Sequence, residues 1–84
     1  MEIPENWTKE NDMLVREFTF NNYVEVVNFI NKLVPIAEEM EHHPDFQVYG
    51  YKNIKITLTT HDKGNKVTEL DIKMAKAINT LFIK

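Results

Sequence analysis

Between Met13 and Phe20 the chain alternates. Leu14, Phe18 and Phe20 fall on one face, and Val15, Glu17 and Thr19 on the other, which is the two-residue period of a half-buried strand. Arg16 interrupts the apolar face, as a long side chain near a sheet edge can. Trp7, ahead of the polar run Lys9–Asp12, is expected to belong to a short preceding strand that forms a hairpin with this one. From Asn21 the period lengthens. Tyr23, Val26, Val27, Ile30, Leu33, Val34, Ala37 and Met40 recur at three- and four-residue spacing, which predicts a long amphipathic helix with Asn21 or Asn22 as its N-cap. Pro35 lies inside that helix and removes a backbone donor, so the helix is expected to kink there or to restart with Pro35 in a first turn. Pro44 closes it, because the residue before a proline is pushed out of the helical region. His42 and His43 therefore sit where the helix ends.

Two more strands and a helix follow. Phe46–Tyr51 is rich in aromatics, and Gly50 between two tyrosines predicts a bulge. Asn53–His61 alternates, with Ile54, Ile56 and Leu58 toward the core and Lys55, Thr57, Thr59 and finally His61 away from it. The cluster Asp62–Lys66, containing Gly64-Asn65, reads as a turn. Thr68-x-x-Asp71 resembles a capping box, with Val67 and Ile72 placed as a hydrophobic staple. The helix it opens draws its buried stripe from Ile72, Ala75, Ile78 and Phe82, widened by Met74 and Leu81. The order strand, strand, helix, strand, strand, helix predicts an α+β two-layer sandwich: a four-stranded antiparallel sheet with both helices on one face. No internal repeat or linker divides the chain, so residues 1–84 read as a single domain. The second sheet face, carrying Lys55, Thr57, Thr59 and Tyr49, is left as a mixed polar surface suited to a ligand or another subunit.

Composition narrows the class. A chain of 84 residues buries only about 60–65% of the surface its unfolded form exposes, and an apolar content of 43% is enough for that core. The absence of cysteine excludes disulfides, thiolate zinc ligands and cysteine nucleophiles. No apolar run approaches the ~18 residues that a membrane span needs, and the acidic, polar start MEIPENWTKE does not read as a signal peptide, so a cytoplasmic protein is expected. A formal net charge of −3 argues against direct nucleic-acid binding. The charge is uneven: residues 1–51 hold ten acidic and three basic side chains, and residues 52–84 three acidic and seven basic. Two oppositely charged layers of one domain account for that split, and a basic C-terminal element facing an anionic ligand is the other reading.

Candidate chemistry rests on the three histidines, since imidazole titrates near neutrality without help. His42 and His43 are adjacent at a helix end, and His61 closes a strand ahead of Asp62. In an antiparallel α+β domain these ends can approach, and three imidazoles with carboxylates nearby would form an acid–base site. A histidine at a helix C-terminus commonly does no more than cap carbonyls and meet the helix dipole, and spacing alone favours that reading. Metal binding is disfavoured, because adjacent helical histidines point about 100° apart and there is no H-x-H or H-x-x-x-H pair. No nucleophile elbow, phosphate loop or dinucleotide fingerprint is present. Asp71 reads first as a capping residue, and Glu38 and Glu39 as solvated helix charges.

Glu41-His42-His43-Pro44-Asp45, Val48-Tyr49, Ile56-Thr57-Leu58-Thr59-Thr60-His61-Asp62 and Thr68-Glu69-Leu70-Asp71 together resemble the pterin-4a-carbinolamine dehydratase family. The similarity runs in order from about Trp7 to the C-terminus. It implies dehydration of 4a-hydroxytetrahydropterin to quinonoid dihydropterin, with the pterin as substrate and neither metal nor redox cofactor. By the same resemblance His42 and His61 are the acid–base pair and His43 is mainly a substrate-orienting group. Glu38 is implied as a carboxylate hydrogen-bonded within the site, and Asp71 as one beside the last histidine. The family forms dimers and tetramers, so a homodimer or homotetramer is expected, joined through a strand edge or the C-terminal helix. Members also serve as dimerisation cofactors of transcription regulators, which makes a non-catalytic binding module the alternative. Only six residues precede Trp7, where the family commonly has a helix, and this is expected to increase the need for a partner. The stretch Pro44–His61 and the turn after it each run one residue longer than usual, with Gly50 expected to absorb the first as its bulge.

Overall fold

The computed structural model describes residues 2–61 and 64–82. They form β1 (Thr8–Glu10), β2 (Met13–Thr19), α1 (Tyr23–Met40), β3 (Asp45–Tyr49), β4 (Asn53–Leu58) and α2 (Glu69–Phe82). The sheet order is β1-β2-β4-β3, and every neighbouring pair is antiparallel. Leu14 lies opposite Leu58, Arg16 opposite Ile56, and Phe18 opposite Ile54. Residues facing each other across an antiparallel pair share a face, so these side chains line one side of the sheet. Against them pack Val26, Phe29, Leu33 and Ala37 of α1 and Ile72, Met74, Ala75 and Ile78 of α2, all in one buried cluster. This is the α+β sandwich with both helices on one face.

Local chemistry explains most boundaries. Asn22 caps α1 by accepting the Glu25 N–H at 2.9 Å, and the Glu25 carboxylate accepts the Asn21 N–H at 2.9 Å. Asn11 and Asp12 both have positive φ, 48° and 64°, so the β1–β2 hairpin turns through the two residue types that tolerate that region best after glycine. Trp7 lies just before β1 and is buried. Its indole N–H donates to Asn79 Oδ1 at 2.8 Å, and Asn79 Nδ2 donates to the Glu5 carbonyl at 3.0 Å. Arg16 joins the same amide oxygen. Because β1 stops at Thr8, opposite Val15, β2 is an open edge from Arg16 onward. The guanidinium leaves the core face through that gap, 4.2 Å from the Phe18 ring centroid and 5.3 Å from that of Phe82. Burial lowers the Arg16 pKa, and the charge of Glu5 acts against that shift. Asn79→Ala removes the acceptor shared by Trp7 and Arg16. It is expected to cost about 2 kcal/mol, read as a fall in Tm of roughly 10 °C by circular dichroism.

Three expectations are corrected. α1 does not restart at Pro35 but runs unbroken through it. Pro35 is exposed, and the carbonyl it cannot serve belongs to Asn31, also exposed, where water can take the bond. Gly50 makes no bulge: β3 ends at Tyr49, paired with Asn53, and Gly50 and Tyr51 turn the hairpin with φ of 56° and 53°. A side chain at position 50 would also meet Asn53 Nδ2 at 3.0 Å. Finally, β4 ends at Leu58, not at His61. Thr59 is buried and donates its hydroxyl to the Asp12 carbonyl at 3.1 Å, while Thr60 forms an isolated antiparallel bridge with Lys66. Of the expected turn after His61, Asp62 and Lys63 lie outside the described residues; Gly64 and Asn65 take φ of 76° and 59°.

The other sheet face carries Glu17, Thr19, Lys55, Thr57 and Tyr49. Tyr49 donates its phenol to Glu17 across β4. That bond, with desolvation and the Glu17 charge, raises the Tyr49 pKa above the usual tyrosine value. Among the described residues, no helix is long and apolar enough to cross a membrane.

Candidate active site

The end of α1 sets the first histidine. Glu41 adopts the left-handed conformation (φ 50°, ψ 40°), the Glu41 N–H bonds the Glu38 carbonyl at 3.2 Å, and the His42 N–H bonds the Ala37 carbonyl at 3.1 Å. These two bonds are the Schellman termination, with Glu41 in the position glycine usually fills, at a cost of about 1 kcal/mol. His42 is thereby fixed by its own backbone on the first residue past the turn. Its imidazole points inward, and Nε2 lies 2.5 Å from Asp71 Oδ1, with the histidine side chain 9% exposed and the aspartate 0%. His43, the next residue, faces out, with Nε2 2.6 Å from Glu38 Oε2 in an exposed pair.

Asp71 ties three segments together. It accepts the Thr68 N–H at 2.9 Å, which is half of the predicted capping box. The other half is absent, because the Asp71 N–H bonds the Thr68 carbonyl and the Thr68 hydroxyl turns to Thr60 Oγ1 at 2.7 Å. The Thr60 hydroxyl reaches Asp71 Oδ2 at 2.7 Å. His61, adjacent to Thr60, is exposed, and its Nδ1 lies 2.7 Å from Asn65 Oδ1.

His42, His43 and His61 line one cleft of about 180 Å³ together with Glu41, Thr60 and Leu70. The sequence-derived candidates thus come together, with a division of labour. Buried Asp71 holds His42, and exposed Glu38 holds His43. The direct bond of Asp71 is to His42, 29 residues away, and it meets the last histidine only through the neighbouring Thr60. Thr60, Thr68 and Asn65 were not among the candidates; a single hydroxyl or amide carries no periodic signal, and only Thr68 was marked, as a cap. Among the described residues no group of three or more histidines and carboxylates is placed to hold a metal ion.

The two-layer sandwich that carries this cleft is a fold shared with solved proteins. The structure described as a transcriptional coactivator/pterin dehydratase from Brucella melitensis superposes with a TM-score of 0.85 at 34% identity, over 92% of this chain and 82% of that one. A pterin dehydratase-like protein described as a RuBisCO assembly factor in the alpha-carboxysome shares the fold, with a TM-score of 0.70 at 24% identity over 89% and 84%. In sequence, the Sulfolobus acidocaldarius protein named "Putative pterin-4-alpha-carbinolamine dehydratase" is 47% identical over 77 residues, 92% of this chain and 82% of its own. The profile of the pterin 4 alpha carbinolamine dehydratase family matches residues 1–81. The chain belongs to that family.

Proposed function

We propose that the protein dehydrates a 4a-hydroxytetrahydropterin to the quinonoid dihydropterin and water, by acid–base catalysis at His42 and His61. The observation that carries this reading is the convergence of His42, His43 and His61, from two distant segments, on one cleft. In the reaction the C4a–O bond breaks as one imidazolium gives its proton to the departing hydroxyl, which leaves as water. The N5–H proton passes to the other imidazole, and its electron pair forms the C4a=N5 double bond. One proton is given and one taken, so exchange with water restores both rings. His43, held by Glu38 at the open lip, orients the substrate. Freshly generated 4a-hydroxytetrahydropterin, followed by its spectral decay with and without protein, tests the proposal. Decay no faster than the spontaneous rate overturns it.

This chemistry needs neither a metal nor a redox cofactor. Incubation with EDTA is therefore expected to leave the rate unchanged; loss of activity restored by zinc would replace the mechanism with a histidine metal site. The open sheet face and the outer edges of β1 and β3 support a second part of the reading, self-association into a homodimer or homotetramer. Light scattering at micromolar concentration is expected to give a multiple of 9.9 kDa, and a fully active monomer refutes it. The same face favours the alternative of a non-catalytic interaction module. Persistent oligomers without acceleration of pterin dehydration would select that alternative.

A further inference from the structure

We infer that Thr60 and Thr68 are positioning residues that act through Asp71 to fix the tautomer of His42, making His42 Nδ1 the proton-accepting atom of the site. The inference rests on the dehydratase reading for its kinetic consequence, but its geometry stands separately. Asp71 is fully buried, and its carboxylate offers only acceptors. Thr60 Oγ1 lies 2.7 Å from Asp71 Oδ2 and 2.7 Å from Thr68 Oγ1. A hydroxyl has one proton, and Thr60 must spend it on the carboxylate. The bond between the two threonines is therefore donated by Thr68. The result is a directed chain, Thr68 O–H to Thr60 O–H to Asp71 Oδ2, and the Thr68 N–H adds a second donor to the same oxygen.

With Oδ2 occupied from two sides, Oδ1 is left for His42 Nε2, 2.5 Å away. A nitrogen bonded to that oxygen carries the proton, so the neutral ring keeps its lone pair on Nδ1. Among the described residues Nδ1 has no hydrogen-bond partner, and the ring lines the cleft. When Nδ1 takes the N5 proton, the new imidazolium charge faces Asp71. His42 is then the base and His61 the acid, the latter presenting Nε2 because its Nδ1 is turned to Asn65 Oδ1. Thr60 suits its task for two further reasons. Its β-branched side chain has few rotamers, and its backbone is pinned by the exchange of N–H and carbonyl with Lys66 at 2.9 and 3.4 Å.

The test pairs Thr60→Val, which removes the hydroxyl and keeps the branching, with Thr60→Ser, which restores a hydroxyl. Nitrogen-15 spectra of ring-labelled protein, with His42 assigned by its loss in His42→Ala, read the tautomer directly. The wild-type ring is expected to be protonated at Nε2. Thr60→Val is expected to shift it toward a mixture and to lower kcat on the order of tenfold, as loss of an outer-shell support does, with KM changed less than about twofold and Thr60→Ser near wild type. A wild-type His42 protonated at Nδ1, or a Thr60→Val protein with unchanged tautomer and kcat, overturns the inference. Should Thr60→Val fail to fold, Thr68→Ala carries the same readout: a shifted tautomer supports the chain, an unchanged one refutes it. If the wild type does not accelerate dehydration, the proposed function fails while the spectra still judge the geometry.

Discussion

Replacing His61 or His42 by alanine is expected to lower kcat by on the order of 10²–10⁴-fold, the range lost with a general acid or base. Both rings line the cleft, yet their surroundings differ. His42 is packed against a buried carboxylate, whereas His61 is exposed and held by Asn65. His43→Ala is expected to behave differently: the ring is exposed and paired with exposed Glu38, so its removal should mainly raise KM, the signature of lost uniform binding. Steady-state kinetics on the three variants decide the matter. A His43→Ala enzyme that loses kcat as heavily as the other two would move the acid–base pair to the adjacent histidines.

The second large effect is expected at Asp71→Asn, a change of nearly equal volume. The asparagine oxygen is drawn to the side where Thr60 and Thr68 both donate. The amide NH₂ then faces His42 Nε2, which has to accept, and the proton moves to Nδ1, the atom that must be free. The expected loss in kcat is again on the order of 10²–10⁴-fold, as for a triad carboxylate replaced by its amide. The fold survives, with a stability cost of about 1–3 kcal/mol from weakened bonds to a formerly charged acceptor. Kinetics together with thermal denaturation separate the two effects. A folded Asp71→Asn protein with near-wild-type kcat would show that the carboxylate does not control the imidazole.

Most of the framework was legible because burial imposes a period. Leu14, Phe18, Ile54, Ile56 and Leu58 alternate, and Val26, Leu33, Ala37, Ile72, Ala75 and Ile78 recur at helical spacing, so β2, β4, α1 and α2 could be placed from pattern alone. Two of the misreadings share one cause: a single residue was given a local meaning that its surroundings changed. Pro35 faces solvent, so the missing bond breaks nothing, and Gly50 sits in the turn rather than in the ladder. The capping box at Thr68 was legible as a helix start, but only tertiary structure could show that the Asp71 carboxylate is shared with a histidine on another element. The histidines were recognisable through family resemblance, not spacing. The hydroxyls behind them were invisible because their meaning lies in direction of donation, which sequence does not encode.

Trp7 is the only tryptophan in the chain. It is buried beside Phe18 and bonded to Asn79, eight residues beyond Asp71 on α2, or about 12 Å along the helix. The indole therefore reports on the joining of the two ends of the chain, at a distance from the carboxylate that holds His42. Its fluorescence is a built-in gauge of whether the molecule has closed, independent of turnover. A protein whose emission is native but whose cleft is silent has lost chemistry alone. One whose emission shifts to that of solvated indole has lost the scaffold first.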